Sequence, residues 1–268
     1  MKRFIRLNDV YRRSYTVSFE DMDPEYRLKV TSAAAYFQDT VAAFMASRFI
    51  AAFDMVKDGI LWVVSEVEYS AGEREAMWGE TLNSEVRLSE YSTFRLYFDF
   101  ALKGDDGTVF ATGTGIWAPV ALETGKPLPI SDFCEIREPL DDTPAVKHGR
   151  FRYLQGAEPV MEASYPVTHS ELDFNKHMGN RSYLEFALRG IPDDFKDSHS
   201  LSSFMARYAR QTYLGDTVTC RYFQPAGTEY SHLVKLCNSA GEEVCQIQLT
   251  WTDRPLPKVD FSEIAPRR

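Results

Sequence analysis

The sequence predicts a duplicated α+β protein, on three observations: an ungapped internal repeat, the same order of elements in both halves, and clean two-residue alternation within several segments. Residues 15–38 lie over 165–188 at an offset of 150, with Tyr15 meeting Tyr165, Val17 meeting Val167, Asp23 meeting Asp173 and Ser32 meeting Ser182. Gly79-Glu80-Thr81 matches the pattern of Gly215-Asp216-Thr217, and Trp117 closes one strand pattern as Trp251 closes another. Self-similarity at a fixed spacing marks one supersecondary unit used twice.

Each half reads as an extended lead-in, a helix, and a run of strands. The first helix is expected over 31–57, where Thr31 or Ser32 can cap it and Phe37, Val41, Phe44, Phe49, Phe53 and Val56 recur at helical spacing, with Gly59 as its stop. Strands are expected at 60–69, 81–90, 91–103 and 108–118, and Lys103-Gly104-Asp105-Asp106-Gly107 has hairpin-turn composition. The second helix is shorter, about 180–190, with Tyr183, Leu184, Ala187 and Leu188 on one face and Gly190 and Pro192 behind it. Its strands are expected near 203–211, 216–224, 230–238 and 243–252; in the last, Ile247, Leu249 and Trp251 alternate with Gln246, Gln248 and Thr250. One helix wrapped by an antiparallel sheet is the hot-dog arrangement. The expected organisation is therefore two tandem hot-dog domains, 1–120 and 161–268, joined by a proline-rich connector over 121–160.

Composition narrows the function classes. A formal charge of −9 argues against nucleic-acid binding, which needs a net basic face. No segment reaches the roughly 18 uncharged apolar residues of a membrane span, and the N-terminal segment lacks the apolar run of a secretory signal. A cytoplasmic protein is expected. Cys134, Cys220, Cys237 and Cys245 show no metal-ligand or redox spacing, so they read as reduced core residues.

Chemistry can be sought at Asp173-Phe174-Asn175-Lys176-His177. Were the stretch extended, period-two geometry would set Asp173, Asn175 and His177 on one side. Met178-Gly179-Asn180 then opens the second helix, whose first amides point where an oxyanion could form, and Gly179 permits close approach. Such a cluster can activate a water beside a carbonyl without metal or cofactor. The same residues also suit plain helix-start caps and turn residues, and spacing does not choose between the two.

Residues 171–183, Glu171-Leu172-Asp173-Phe174-Asn175-Lys176-His177-Met178-Gly179-Asn180-Arg181-Ser182-Tyr183, resemble the active-site stretch of the acyl-acyl-carrier-protein thioesterases of plants and bacteria, which reads D-L-D-x-N-x-H-x-N-N-x-x-Y. Leu61-Trp62-Val63-Val64, Trp78-Gly79-Glu80 and Ala111-Thr112-Gly113-Thr114-Gly115-Ile116-Trp117 resemble further stretches of that family, in order along the chain. The resemblance implies a double hot-dog thioester hydrolase that releases free fatty acid from acyl carrier protein, ending chain elongation. It makes Asp173 the base or orienting carboxylate, with Asn175 and His177 holding water and thioester. At the family's further active-site carboxylate this chain has Gln211, which can orient a water but cannot accept its proton. The plant cysteine that follows is Thr212 here.

The first half keeps Asp23 but loses the Asn and His equivalents, so it is expected to shape the acyl slot, with Phe37, Val41, Phe44 and Trp62 as lining. Glu75, which precedes Gly79 as Gln211 precedes Gly215, is an alternative contributor across the pseudo-twofold interface. Carrier protein is acidic, so docking would need local cations: Lys176, Arg181, Arg207 and Arg210, or Arg3, Arg6, Arg12 and Arg13 at the N-terminus. An acyl-CoA thioesterase and a non-catalytic acyl-binding protein remain alternatives. Duplication already supplies an internal dimer, and a further homodimer is left open.

Overall fold

The computed structural model describes residues 3–24, 26–72, 74–139, 158–224 and 230–253. The first half comprises β1 (Phe4–Arg6), β2 (Val10–Thr16), α1 (Val30–Ser47), α2 (Ala52–Met55), β3 (Ile60–Ala71), β4 (Thr81–Ser92), β5 (Arg95–Lys103) and β6 (Val109–Ala121). After β7 (Glu135–Arg137) the second half runs β8 (Met161–Pro166), α3 (Asn180–Arg189), α4 (Asp193–Ser198), β9 (His199–Tyr208), β10 (Thr217–Phe223), β11 (Ser231–Cys237) and β12 (Glu243–Asp253). Much of the expected connector, 140–157, lies outside the described residues; before it, β7 pairs in parallel with β1.

Ten strands form one continuous sheet in the order β2-β4-β5-β6-β3-β9-β12-β11-β10-β8. Each half contributes five of them around its own helix, and the halves meet edge to edge where β3 and β9 run antiparallel, Glu66 opposite Arg207 and Tyr69 opposite Phe204. The duplicated hot-dog architecture is thus one sheet with two helices on it. Fusing the two central strands also removes an exposed edge from each half.

α1 lays Phe37, Val41 and Phe44 onto the sheet, where the Phe44 ring meets Phe98 edge-on at 5.8 Å and Phe37 meets Phe100 at 4.4 Å. Burying each such ring contributes about 1.5–3 kcal/mol. The helix expected to reach residue 57 ends ten residues earlier, at Ser47. Phe49 takes a left-handed φ of 60°, its amide bonding to Ala46 O at 3.0 Å and the Ile50 amide to Met45 O at 3.0 Å. That is a Schellman termination with phenylalanine where glycine is usual. Ile50 fills the accompanying apolar contact and is fully buried, whereas Phe49, Phe53 and Val56 are left exposed.

α3 presses Tyr183, Leu184, Phe186 and Ala187 against β10, β11 and β12. Gly190 follows its last turn beneath the fully buried Tyr222, whose hydroxyl donates to Phe186 O at 3.2 Å. A Cβ at Gly190 would overlap the Tyr222 hydroxyl and ring. Gly190→Ala should therefore destabilise the protein by about 1–3 kcal/mol, as overpacking does. Chemical denaturation of the variant checks this, and an unchanged midpoint would show that Tyr222 can move aside.

Candidate functional site

The segment singled out by sequence is positioned from its N-terminal side by a capped turn. The Thr168 amide and hydroxyl both donate to Glu171 Oε2, at 2.9 and 2.7 Å, while Ser170 Oγ donates to Oε1 at 3.0 Å. Burial raises the Glu171 pKa, but these hydrogen bonds and Arg189 nearby outweigh it and hold the carboxyl below the ordinary glutamate range.

Beyond Leu172 the chain is not extended. Asp173 N donates to His177 O at 2.9 Å, Lys176 N to Asp173 O at 3.0 Å, Leu172 bridges Met178, and Lys176 adopts a left-handed φ of 64°. Residues 173–177 are a tight turn, so the expected period-two alignment of Asp173, Asn175 and His177 does not occur. Asp173 Oδ1 accepts from the Asn175 amide at 2.8 Å, a local turn bond open to any Asp two residues before an N–H. Oδ2 lies 3.6 Å from His177 Nδ1, which is also 3.4 Å from Met178 O. Both oxygens thus face the same ring nitrogen of His177. The Asn175 side chain sits exposed at the tip of the turn.

The first half repeats this backbone at the same offset. Tyr26 has a φ of 64°, Asp23 N donates to Arg27 O at 2.8 Å, and Met22 bridges Leu28. The chemistry differs: Arg27 stands where His177 stands, and its guanidinium pairs with Glu75 at 2.7 Å. Glu75 is thereby held by an ion pair within its own half. Glu25 and Glu73 lie outside the described residues.

Between the halves opens a cleft of about 390 Å³, inside the range of small-molecule sites. Asp173, Phe174, Gly179 and Asn180 form one wall, and Ala34, Phe37, Gln38 and Ala42 of α1 face them. Val67, Trp117 and Phe204 from the sheet, with Leu184, make it apolar at depth. Asn180 Nδ2 reaches Gln38 Oε1 across the gap at 3.4 Å. Of the expected acyl lining only Phe37 is on this cleft. Val41 and Phe44 are fully buried under α1, and the Trp62 indole donates to Ile50 O at 2.7 Å, away from the cleft. The helix face that does line it, Ala34, Gln38 and Ala42, has the i, i+4 spacing of a single stripe.

The expected oxyanion donors are only partly available. Met178 N donates to Thr212 O at 2.7 Å and Gly179 N to Glu171 O at 2.9 Å, so both amides are engaged in fixing the turn. Gly179 is the N-cap of α3 and supplies no side-chain cap, so the helix's own first amide is that of Asn180.

Gln211 lies beyond the end of β9, which stops at Tyr208 rather than running to 211. It is exposed, accepts from the Tyr213 hydroxyl at 2.7 Å, and among the described residues has no hydrogen bond to Asp173 or His177. Thr212 is fully buried and takes a hydrogen bond from Tyr183 at 2.9 Å. Of the candidate docking cations, Arg181 pairs with Glu185 at 2.7 Å and Arg210 with Glu242 at 3.5 Å, Arg207 stands opposite Glu66, and Lys176 projects from the turn into solvent. The N-terminal arginines are used internally, Arg3 with Asp58, Arg12 with Glu85, Arg13 with Asp39, and Arg6 on Glu138 O. Among the described residues no helix is long and apolar enough to cross a membrane, and no group of His, Cys, Asp and Glu is arranged to hold a metal.

Comparison with known proteins places these observations. Residues 8–140 match the acyl-ACP thioesterase N-terminal domain and residues 155–253 the acyl-ACP thioesterase C-terminal domain. The chain is 22% identical over 260 residues to the chloroplast dodecanoyl-[acyl-carrier-protein] hydrolase of Umbellularia californica, covering 90% of this chain and 67% of that one. It is 22% identical over 241 residues to the chloroplast oleoyl-acyl carrier protein thioesterase 1 of Arabidopsis thaliana, covering 79% and 66%. The chain thus spans about two thirds of the length of these plant relatives. A crystal structure of an acyl-ACP thioesterase from Bacteroides thetaiotaomicron superposes with a TM-score of 0.79 at 18% identity, covering 91% of this chain and 98% of that one. The 12:0-ACP thioesterase of U. californica gives 0.77 at 19%, covering 91% and 98%.

All four cysteines are buried, and burial pushes the Cys134 thiol up to about 11 and the Cys220 thiol up to about 12. Iodoacetamide should therefore modify none of them in the native protein and all of them after denaturation. Stoichiometric labelling of Cys220 under native conditions would show that the second-half core opens.

Proposed function

This chain belongs to the acyl-ACP thioesterase family, and from that premise we propose that it hydrolyses fatty acyl thioesters of acyl carrier protein, releasing the free fatty acid and the carrier thiol. The observation that supports this most is the position of Asp173: its carboxylate borders an apolar cleft between the halves, beside an uncapped helix N-terminus. An acyl chain entering that cleft brings its carbonyl to the polar rim, where water can attack.

In the proposed step Asp173 takes the proton from a water as its oxygen bonds to the carbonyl carbon. His177, whose Nδ1 faces Oδ2 at 3.6 Å, steadies the carboxylate. Collapse of the tetrahedral intermediate breaks the C–S bond, and the proton passes from Asp173 to the departing sulfur. Water is the nucleophile, because Thr212 is buried in a hydrogen bond to Tyr183 and Cys220 is buried with a raised pKa. Asn175 is read as a contact to the carrier's pantetheine arm at the tip of the turn, and Gln211 as a rim residue that orients groups at the mouth. Lys176 and Arg181 flank the same rim and would meet the acidic carrier. The reading carries with it a cytoplasmic location, to which four reduced cysteines are suited.

Two measurements check this reading. Asp173→Asn keeps the size of the side chain and removes its basicity, so kcat on acyl carrier protein should fall by about 10²-fold or more. A variant with near-normal turnover ends the assignment of Asp173. Separately, kcat/KM on acyl carrier protein should decline with ionic strength much more steeply than on the same acyl group carried by CoA. Equal slopes, or a clear preference for CoA, would favour an acyl-CoA thioesterase, and binding without turnover a non-catalytic acyl-binding protein.

A further inference from the structure

We propose that the Tyr208 hydroxyl is a catalytic hydrogen-bond donor to the thioester carbonyl oxygen, forming with the Asn180 amide the oxyanion hole of this site. The inference rests on the thioesterase reading and deepens it. Tyr208 ends β9, and on that strand it shares a face with Phe204, four residues earlier, by the two-residue alternation of side chains. Both line the cleft, Phe204 at depth and Tyr208 next to Asn180, Gly179 and Asp173.

The hydroxyl of Tyr208 is poorly satisfied by the protein. Among the described residues its one hydrogen-bond partner is Asn180 O at 3.5 Å, a carbonyl inside the first turn of α3. The neighbouring second-half tyrosines are held more closely: Tyr183 donates to Thr212 Oγ1 at 2.9 Å and Tyr222 to Phe186 O at 3.2 Å. A mostly buried hydroxyl left without a good acceptor costs free energy, so an acceptor arriving with the substrate is favoured there. Burial also keeps the phenol well above its ordinary pKa, so it stays protonated wherever the enzyme works.

The backbone amides tell the same story. Met178 N and Gly179 N are committed to Thr212 O and Glu171 O, which withdraws both from an incoming oxygen and leaves the first amides of α3, beginning at Asn180. With the two turn amides spent, a side-chain hydroxyl completes the donor set. Tyr183 packs edge-on against the Tyr208 ring at 5.7 Å between centroids, which restrains the ring beside the cleft that Tyr208 lines.

Tyr208→Phe removes the hydroxyl and keeps the ring. On acyl carrier protein its kcat should fall by about 10²-fold, with KM, the affinity for a non-hydrolysable thioether analogue, and the thermal midpoint unchanged. Replacing Tyr208 by a fluorotyrosine, a more acidic donor, should restore activity that Phe does not. Wild-type kcat in Tyr208→Phe would overturn the proposal, as would a loss shared equally by analogue affinity and thermal midpoint, which would mark Tyr208 as a wall residue only. Absence of hydrolysis of any acyl thioester by the wild-type protein would instead sink the thioesterase reading itself.

Discussion

The antiparallel pairing of β3 with β9 is the constraint on which the rest of the molecule depends. It joins two five-stranded halves into one sheet, with Val67 opposite Ala206 and Tyr69 stacked on Phe204 at 5.5 Å. Because side chains alternate along a strand, a slip of one residue would turn Phe204 and Tyr208 out of the cleft and Met205 and Arg207 into it. The same pairing sets α1 of one half opposite the turn before α3 of the other, so neither half alone has a complete cleft. The site is a property of the seam.

Duplication explains why the two halves carry the same turn with different side chains on it. Asp23 and Asp173 start the same tight turn, with Tyr26 and Lys176 at the same left-handed φ of 64°. The geometry is thus set by backbone bonds and does not depend on which residue follows. That freedom allowed the two halves to diverge in chemistry. Arg27 with Glu75 makes a salt bridge that occupies the first copy, while His177 with Gln211 leaves Asp173 of the second copy without a strong counter-charge.

How much of this was legible follows from where the signals are local. The repeat, the strand alternation and the residues 171–183 were readable because period and composition act over a few positions. The end of α1 was not: the left-handed residue there is Phe49, which gives no glycine signal, and it is held by the burial of Ile50. At Asp173 spacing left an extended and a turn conformation open, and it is the turn, signalled by an Asp two residues before Asn175, that forms. Val41, Phe44 and Trp62 have the composition of a pocket and the position of a core; only the packing of α1 separates them from Ala34, Gln38 and Ala42, which face the cleft. Tyr208 gave no sign of its own, since its place depends on where β9 leaves the sheet.

The proposed mechanism needs a cleft carboxylate that can take a proton, and hydrogen bonding separates the candidates. Among the described residues, Asp39, Glu171 and Asp173 are the carboxylates that border the cleft. Glu171 has both oxygens engaged by Thr168 and Ser170, with Arg189 at 3.7 Å. Asp39 pairs with Arg13 at 3.0 Å and accepts from Tyr15 at 2.8 Å. Each hydrogen bond to the ionised form lowers basicity, and so do nearby cations. Asp173 has one oxygen in a local turn bond and the other facing only a long contact to a histidine. Asp173 is therefore the carboxylate at the cleft with the fewest close partners among the described residues, and that is why the proposed mechanism places proton transfer there.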